Sequence, residues 1–189
     1  MNIRVAIIAF GLLFLTSCHQ GSGQNEAVAE PTPSQQRLLD AGWTVVTPTE
    51  DLTEEYGIQP IYGIQDNYFD IEMGSGCNVA VKIMDLRTDK CIRYVYVAEN
   101  STTTVQEIPQ GVYYLKLACG YDWMEYENDE GKIGKFTRNV SYERSQDTFD
   151  FGVKNSKDEV NYRLEINVVD SKLENNFLAT PINEEEFMK

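Results

Sequence analysis

Alternation of apolar and polar residues is the feature that most constrains the fold of this chain. In the clearest run, Val160, Tyr162, Leu164, Ile166 and Val168 alternate with four polar residues, Asn161, Arg163, Glu165 and Asn167. Successive side chains of a β-strand point to opposite faces, so this period of two predicts a strand with one buried face.

The same period recurs in residues 68–73, 79–83 and 113–117. Residues 91–98 are apolar on both faces, which predicts a strand in the interior of a sheet. No convincing long helix accompanies these strands. The pattern therefore predicts an all-β fold, a single antiparallel β-sandwich of six to eight short strands.

The segment 105–123 is expected to contain the central strand. A turn at Pro109-Gln110-Gly111 starts it, and Gly120 is expected to end it before the aromatic residues that follow. The acidic segment 125–131 then predicts a long loop, and long loops within a domain are often functional.

The N-terminus has the pattern of an export signal. Arg4 precedes an apolar run over residues 5–15, which is too short to span a bilayer. Leu15-Thr16-Ser17-Cys18 at its end resembles the lipobox of bacterial lipoproteins. The resemblance implies cleavage before Cys18, acylation of that cysteine and, because His19 follows, sorting to the outer membrane. The alternative is an ordinary secretory signal with a coincidental cysteine.

These observations divide the chain into five segments. A polar segment rich in Gly, Ser and Pro precedes the strands and favours a flexible tether, in which Ser34 is expected to cap a short helical turn. The predicted segments are a lipoprotein signal peptide (1–17), a lipidated N-terminus and flexible tether (18–36), an irregular N-terminal arm (37–67), the β-sandwich (68–182) and a C-terminal tail (183–189).

A second resemblance concerns the domain itself. The motif Ile108-Pro109-x-Gly111-x-Tyr113-x-Leu115, placed after a strand and a polar loop, resembles prealbumin-like or carboxypeptidase-regulatory-like domains. It covers residues 68–120. Such domains are mostly non-catalytic accessory or adhesion modules, and the resemblance carries over no functional residues.

Charge and composition exclude several functions. A net charge of −14 disfavours nucleic acid as a partner, since binding it requires Lys and Arg. The one histidine, His19, lies beside the predicted lipidated cysteine, where it cannot serve Ser-His or Cys-His catalysis or a metal site. We therefore expect no cofactor and no enzymatic activity, although a small two-carboxylate hydrolase would need no histidine.

Three cysteines remain after Cys18. Antiparallel pairing of the strand that starts at Cys91 with the strand that ends at Cys119 would place these two opposite each other, which favours a Cys91–Cys119 disulfide. The alternative is that Cys77, Cys91 and Cys119 are all buried thiols that pack as small apolar residues.

Carboxylates in the predicted acidic loop are candidate calcium ligands. Glu125, Glu127 and Asp129 alternate ahead of Gly131. The spacing departs from an EF-hand, whose twelfth position would be Phe136, and a solvated loop is the alternative.

Three aromatic residues form the candidate binding surface. Tyr121, Trp123 and Tyr126, flanked by acids, suit sugar stacking or a protein-interaction hot spot, unless Trp123 instead fills the open end of the sandwich. The sequence thus predicts a non-catalytic, lipid-anchored envelope protein. Its sandwich would bind an envelope protein through a strand edge or through residues 121–131. Glycan binding is the alternative, and the hydrolase is a third hypothesis.

Overall fold

The computed structural model describes residues 30–152, 157, 159–169 and 172–189. The predicted signal peptide, the lipobox with Cys18 and most of the predicted tether lie outside these residues. Within them lie two short helices, α1 (Pro33–Asp40) and α2 (Glu184–Met188), and eleven strands. The strands are β1 (Thr44–Val45), β2 (Tyr68–Met73), β3 (Asn78–Asp85), β4 (Lys90–Val97), β5 (Ser101–Val105), β6 (Val112–Asn128), β7 (Gly131–Ser145), β8 (Phe149–Asp150), β9 (Asn161–Val169), β10 (Lys172–Asn175) and β11 (Ala179–Pro181).

Two sheets pack against each other, so the predicted all-β sandwich is confirmed. The larger sheet has the order β11-β7-β6-β3-β4, and both β1 and β8 pair with β6. The smaller sheet has the order β10-β9-β2-β5. Its β2–β9 pair is parallel, whereas every other named pair is antiparallel. The strands β4 and β5, consecutive along the chain, form the last strands of the two sheets.

The side chains between the two sheets form what we call the inner core. They are the apolar members of the alternating runs, as predicted from the period of two. Its members include Phe69, Ile71, Met73, Val79, Val81, Ile83, Leu115, Leu117, Leu164 and Ile166.

A second cluster, which we call the outer core, covers the opposite face of the larger sheet. The N-terminal arm and helix α2 cover it, since Leu52 and Phe187 are both buried there. The cluster consists of Leu52, Ala80, Tyr94, Tyr96, Ala118, Trp123, Phe136 and Phe187.

The two cores explain why β4 is apolar on both faces. Its predicted interior position is wrong, because β4 is the last strand of the larger sheet. Both of its faces are buried, one in each core. The arm covers part of its outer edge: Leu52 N donates to Tyr94 O at 2.9 Å, and Tyr96 N donates to Glu50 O at 2.8 Å.

Strand β6 is longer than predicted. It runs without interruption from Val112 to Asn128, so the prediction that Gly120 ends it is wrong. Gly120 is required for another reason, because a Cβ there would lie 2.7 Å from Cβ of Phe136. The acidic segment is likewise the tip of the β6–β7 hairpin, in which Asn128 pairs with Gly131, and not a long loop.

Helix α1 begins inside the predicted tether. Its N-cap is Thr32, whose side chain accepts from Gln35 N, so the predicted cap at Ser34 is wrong. The buried Gln35 side chain donates to Asp122 and Thr137, both at 3.0 Å, and thereby fixes the helix to the β6–β7 hairpin.

Candidate interaction groove

Trp123 does not lie on the surface. It is only 3% exposed and belongs to the outer core, where its ring packs edge-to-face on Phe136 at 4.8 Å between centroids. Its Nε1 donates to Tyr56 Oη and Glu125 Oε1, both at 3.1 Å. A Cβ at Gly134 would lie 2.6 Å from Cζ2 of Trp123, so a glycine there makes room for the ring. Trp123 is therefore unable to stack on a surface ligand.

The two tyrosines flank Trp123 without forming a shared platform. Tyr126 stacks on Trp43 at 5.8 Å between centroids. Tyr121 packs against the inner core, and the Arg138 guanidinium lies 4.6 Å from its ring centroid. Each half-buried ring already has a partner within the chain, and the three predicted side chains are not brought together as one exposed surface.

The candidate calcium ligands do not converge. Glu125 accepts a 2.6 Å hydrogen bond from Tyr56 Oη and pairs with Lys132 at 3.2 Å, so its oxygens are turned into the protein. Glu127 and Asp129 lie at the exposed tip of the hairpin. Among the described residues, no group of three His, Cys, Asp or Glu side chains could hold a metal ion.

The disulfide pairing differs from the preferred one. Cys77 is bonded to Cys119, and Cys91 is a free thiol, so the predicted Cys91–Cys119 bridge is wrong. The reason is topological: β3 lies between β4 and β6, so that Cys91 and Cys119 are not on neighbouring strands. Cys91 faces the outer core, and burial raises the pKa of its thiol to about 11.

A groove of about 350 Å³ lies at the side of the sandwich where β4 and β5 end the two sheets. Three segments that are distant in sequence form it: the arm, strand β4 and strand β5 with the residues that follow it. We call it the edge groove. Its lining residues are Glu50, Asp51, Tyr62, Arg93, Val95, Thr103, Thr104, Val105, Gln106 and Glu107.

Arg93 is the unusual residue of the edge groove, because it is a buried cation with an unused donor. The side chain is only 3% exposed. Its Nη1 donates to Ile61 O at 2.6 Å and to Ile92 O at 2.9 Å, whereas Nη2 has no hydrogen-bond partner. Such an orphaned buried donor is rare and costly in a folded protein.

The electrostatic surroundings of Arg93 are also unusual. No ion pair among the described residues includes it. Burial lowers the pKa of its guanidinium, and the nearby charges of Asp51 and Glu107 oppose that effect. The Tyr62 ring covers the guanidinium at 4.0 Å from centroid to Cζ, a cation–π contact.

Strand β5 offers a free edge beside Arg93. It pairs with β2 on one side. On its other side, no main-chain hydrogen bond joins residues 102–106 to the described part of the chain. The arm adds exposed apolar surface here, because Tyr62 lines the groove and its neighbours in sequence, Ile61 and Ile64, are also exposed, Ile64 by 94%. The site thus combines an open strand edge, an unused donor and apolar surface.

Sequence reasoning anticipated a strand edge as an interaction site but missed Arg93. Its position is set by a register shift between β3 and β4, where Ile83 pairs with Arg93 and Met84 pairs with Cys91. Such bulges redirect side chains, and they are not visible in an alternating pattern. The one available signal was an arginine inside an otherwise apolar strand.

No helix in the described part of the chain has the length and apolarity needed to cross a membrane. Searches against protein-family models, curated proteins and solved structures find nothing that matches this chain.

Proposed function

We propose that this protein is a non-catalytic, lipid-anchored component of the outer membrane that binds another envelope protein through the edge groove. The observation that carries the proposal is the free edge of β5 beside the unused Nη2 of Arg93. Strand edges bind partners through main-chain hydrogen bonds, and a neighbouring pocket adds specificity.

The groove supports this function better than the aromatic surface does. Trp123 is buried, and Tyr121 and Tyr126 pack against other residues of the chain, which removes the platform on which glycan binding was based. The edge groove has instead an exposed aromatic side chain in its lining, Tyr62, next to the exposed Ile61 and Ile64, and contiguous exposed apolar surface is typical of protein interaction sites.

The anchor is tested by metabolic labelling with a tagged palmitate. We expect the label on the natural chain and none on Cys18→Ser, which would leave the membrane fraction. A natural chain that carries no label would overturn the anchoring.

The interaction is tested by photo-crosslinking in the cells that make the protein. A photoreactive residue replaces Gln106, which is exposed in the groove, or Glu174, which is exposed on β10 at the opposite edge of the same sheet. We expect one defined protein adduct from position 106 and none from position 174. A glycan adduct at position 106 would favour carbohydrate binding, and no adduct or equal adducts would contradict the proposal.

A further inference from the structure

The charges of the edge groove restrict what can bind there, provided that the proposed interaction function holds. Its lining holds one guanidinium, that of Arg93, and three carboxylates, those of Glu50, Asp51 and Glu107. The excess negative charge repels a phosphate or a free carboxylate. Nη2 of Arg93 still lacks an acceptor, and a neutral carbonyl oxygen satisfies it without adding negative charge.

The geometry of β5 indicates where such a carbonyl comes from. The strand contributes five residues, Ser101–Val105, which corresponds to about 17 Å of extended chain. Thr103 and Val105 turn inward, while Thr102 and Thr104 are exposed. An added strand would find the unused main-chain groups of β5 on one side and Arg93 at the floor of the groove.

We propose that the edge groove binds an extended segment of a partner protein that carries lysine or arginine side chains. The main chain of the segment adds to the smaller sheet next to β5, and one of its carbonyl oxygens accepts from Nη2 of Arg93. Its cationic side chains face Glu50, Asp51 and Glu107.

Tyr62 is the movable part of this site. Its ring covers the Arg93 guanidinium, and the residue is 57% exposed, so few contacts oppose rotation of the ring into solvent. Nη1 remains held by Ile61 O and Ile92 O during that rotation, which keeps the guanidinium in place for an incoming carbonyl.

The experiment uses the purified full chain and three capped, fluorescent seven-residue peptides. The first alternates valine and lysine, the second alternates valine and glutamate, and the third is the lysine peptide with alternate main-chain nitrogens methylated. Binding is measured by fluorescence anisotropy at low and high salt, and amide chemical shifts identify the residues that the peptide contacts.

We expect the lysine peptide to bind at least about tenfold more tightly than the glutamate peptide, with a preference that falls as salt rises. Methylation removes the main-chain donors that pair with β5, so it should also cost about tenfold or more. The shifted amides should lie in residues 101–107 and around Tyr62.

Variants of the chain show which residues of the edge groove cause the binding and the preference for lysine. Arg93→Met keeps the apolar stem but loses the donor, and should bind the lysine peptide about tenfold less tightly. The double variant Glu50→Gln with Glu107→Gln should lose most of the preference for lysine over glutamate, and it keeps the test valid if Arg93→Met fails to fold. Glu174→Gln on β10 removes one charge from the opposite edge and should leave binding unchanged.

The outcomes separate this inference from the proposed function. If position 106 captures a partner in cells but the lysine and glutamate peptides bind equally, the groove is an interface and its inferred occupant is wrong. Equal binding of the methylated peptide would exclude strand addition. If position 106 captures nothing and the peptides shift no groove amides, both proposals are overturned.

Discussion

The inner and outer cores lie on opposite faces of the larger sheet and are built differently. In the inner core, apolar side chains of β2, β3, β6 and β9 meet each other, and the disulfide Cys77–Cys119 lies among them. In the outer core, the aromatic residues share their space with the buried amines of Lys82 and Lys116 and with the free thiol of Cys91.

The difference lies in what covers each face. Another sheet covers the inner core, whereas the outer core is covered by the arm and by helix α2, a helix of five residues. Lys82 Nζ donates to Phe187 O at 2.9 Å, and Lys116 Nζ donates to Glu186 O at 2.8 Å. The two amines therefore satisfy main-chain carbonyls of α2 that the short helix leaves without intrahelical partners.

Truncation of a side chain in the inner core should cause the largest loss in the free energy of unfolding. Phe69 is fully buried and packs edge-to-face on Phe151 at 4.8 Å and on Phe149 at 5.3 Å between centroids. Phe69→Ala leaves a cavity between two sheets that cannot close, so we expect a loss of about 3–5 kcal/mol in the free energy of unfolding. Urea unfolding followed by circular dichroism measures it, and a loss below about 1 kcal/mol would contradict the assignment of this core.

Truncation of Phe187, which covers the outer core, should lower the free energy of unfolding by less than truncation of Phe69 does. Phe187→Ala removes the buried side chain that holds α2 on the sheet, and the helix can then detach without leaving a cavity. We expect a loss of about 2 kcal/mol, near the transfer free energy of the side chain alone. Hydrogen exchange should show lost protection at residues 184–189 and retained protection in β6. Phe187→Leu is the control, and simultaneous loss of protection in β6 would show that the two cores unfold together.

The contrast between the cores also explains which parts of the fold could be predicted from the sequence. Strand β9 and the inner core follow from alternation alone, because the period of two is a local signal. Leu52 and Phe187 have no local signal that they meet across the back of a sheet. Gly120 has the local pattern of a strand end, although the close approach of Phe136 is what requires a glycine there.

The candidate site was less predictable than the fold. The edge groove combines Glu50, Tyr62, Arg93 and residues 103–107, which are brought together only by the tertiary structure. Trp123 is a reasonable surface candidate from its neighbours in the sequence, but a register shift between Cys119 and Tyr121 and the positive φ of Asp122 interrupt the alternation before it, and it lies in the outer core. Alternation predicts the face of a residue only while the register holds.

The buried amines of the outer core offer a test with a smaller expected effect. Lys82 is only 8% exposed, and burial lowers the pKa of its amine. Lys82→Met keeps the apolar stem, loses the hydrogen bond to Phe187 O and removes the cost of burying a charge. These two changes oppose each other, so we expect the free energy of unfolding to stay within about 1 kcal/mol of the natural chain.

Lys82→Ala is the matched control for that variant. It also removes the stem that packs under α2, and should therefore be less stable than Lys82→Met. Urea unfolding compares the two. A loss above about 3 kcal/mol for Lys82→Met would show that the charge itself holds the outer core together.

The smallest effect on the free energy of unfolding is expected for a substitution at Asp122, where β6 passes from the inner core to the outer core. Tyr121 packs against the inner core and Trp123 lies in the outer core, and Asp122 between them has a φ of 56°. Its carboxylate accepts from Arg138 Nε at 2.7 Å and from Gln35 Nε2 at 3.0 Å. The hydrogen bond from Arg138 is the main cause that lowers the pKa of Asp122 below its usual 3.8.

The lowered pKa of Asp122 determines how the stability of the fold depends on pH. A carboxyl whose pKa is lower in the folded chain adds stability that is fully present above pH 3.8 and is lost as the pH falls through the folded pKa. Asp122→Asn tolerates the positive φ but carries no charge. Because both side chains of the ion pair are partly exposed to solvent, we expect a loss of about 0.2–1 kcal/mol at pH 7 and a smaller dependence of stability on pH below about 4. Urea midpoints at pH 7 and pH 3 measure both quantities, and an unchanged acid dependence in the variant would show that the ionised Asp122 carboxylate does not contribute to the stability of the fold.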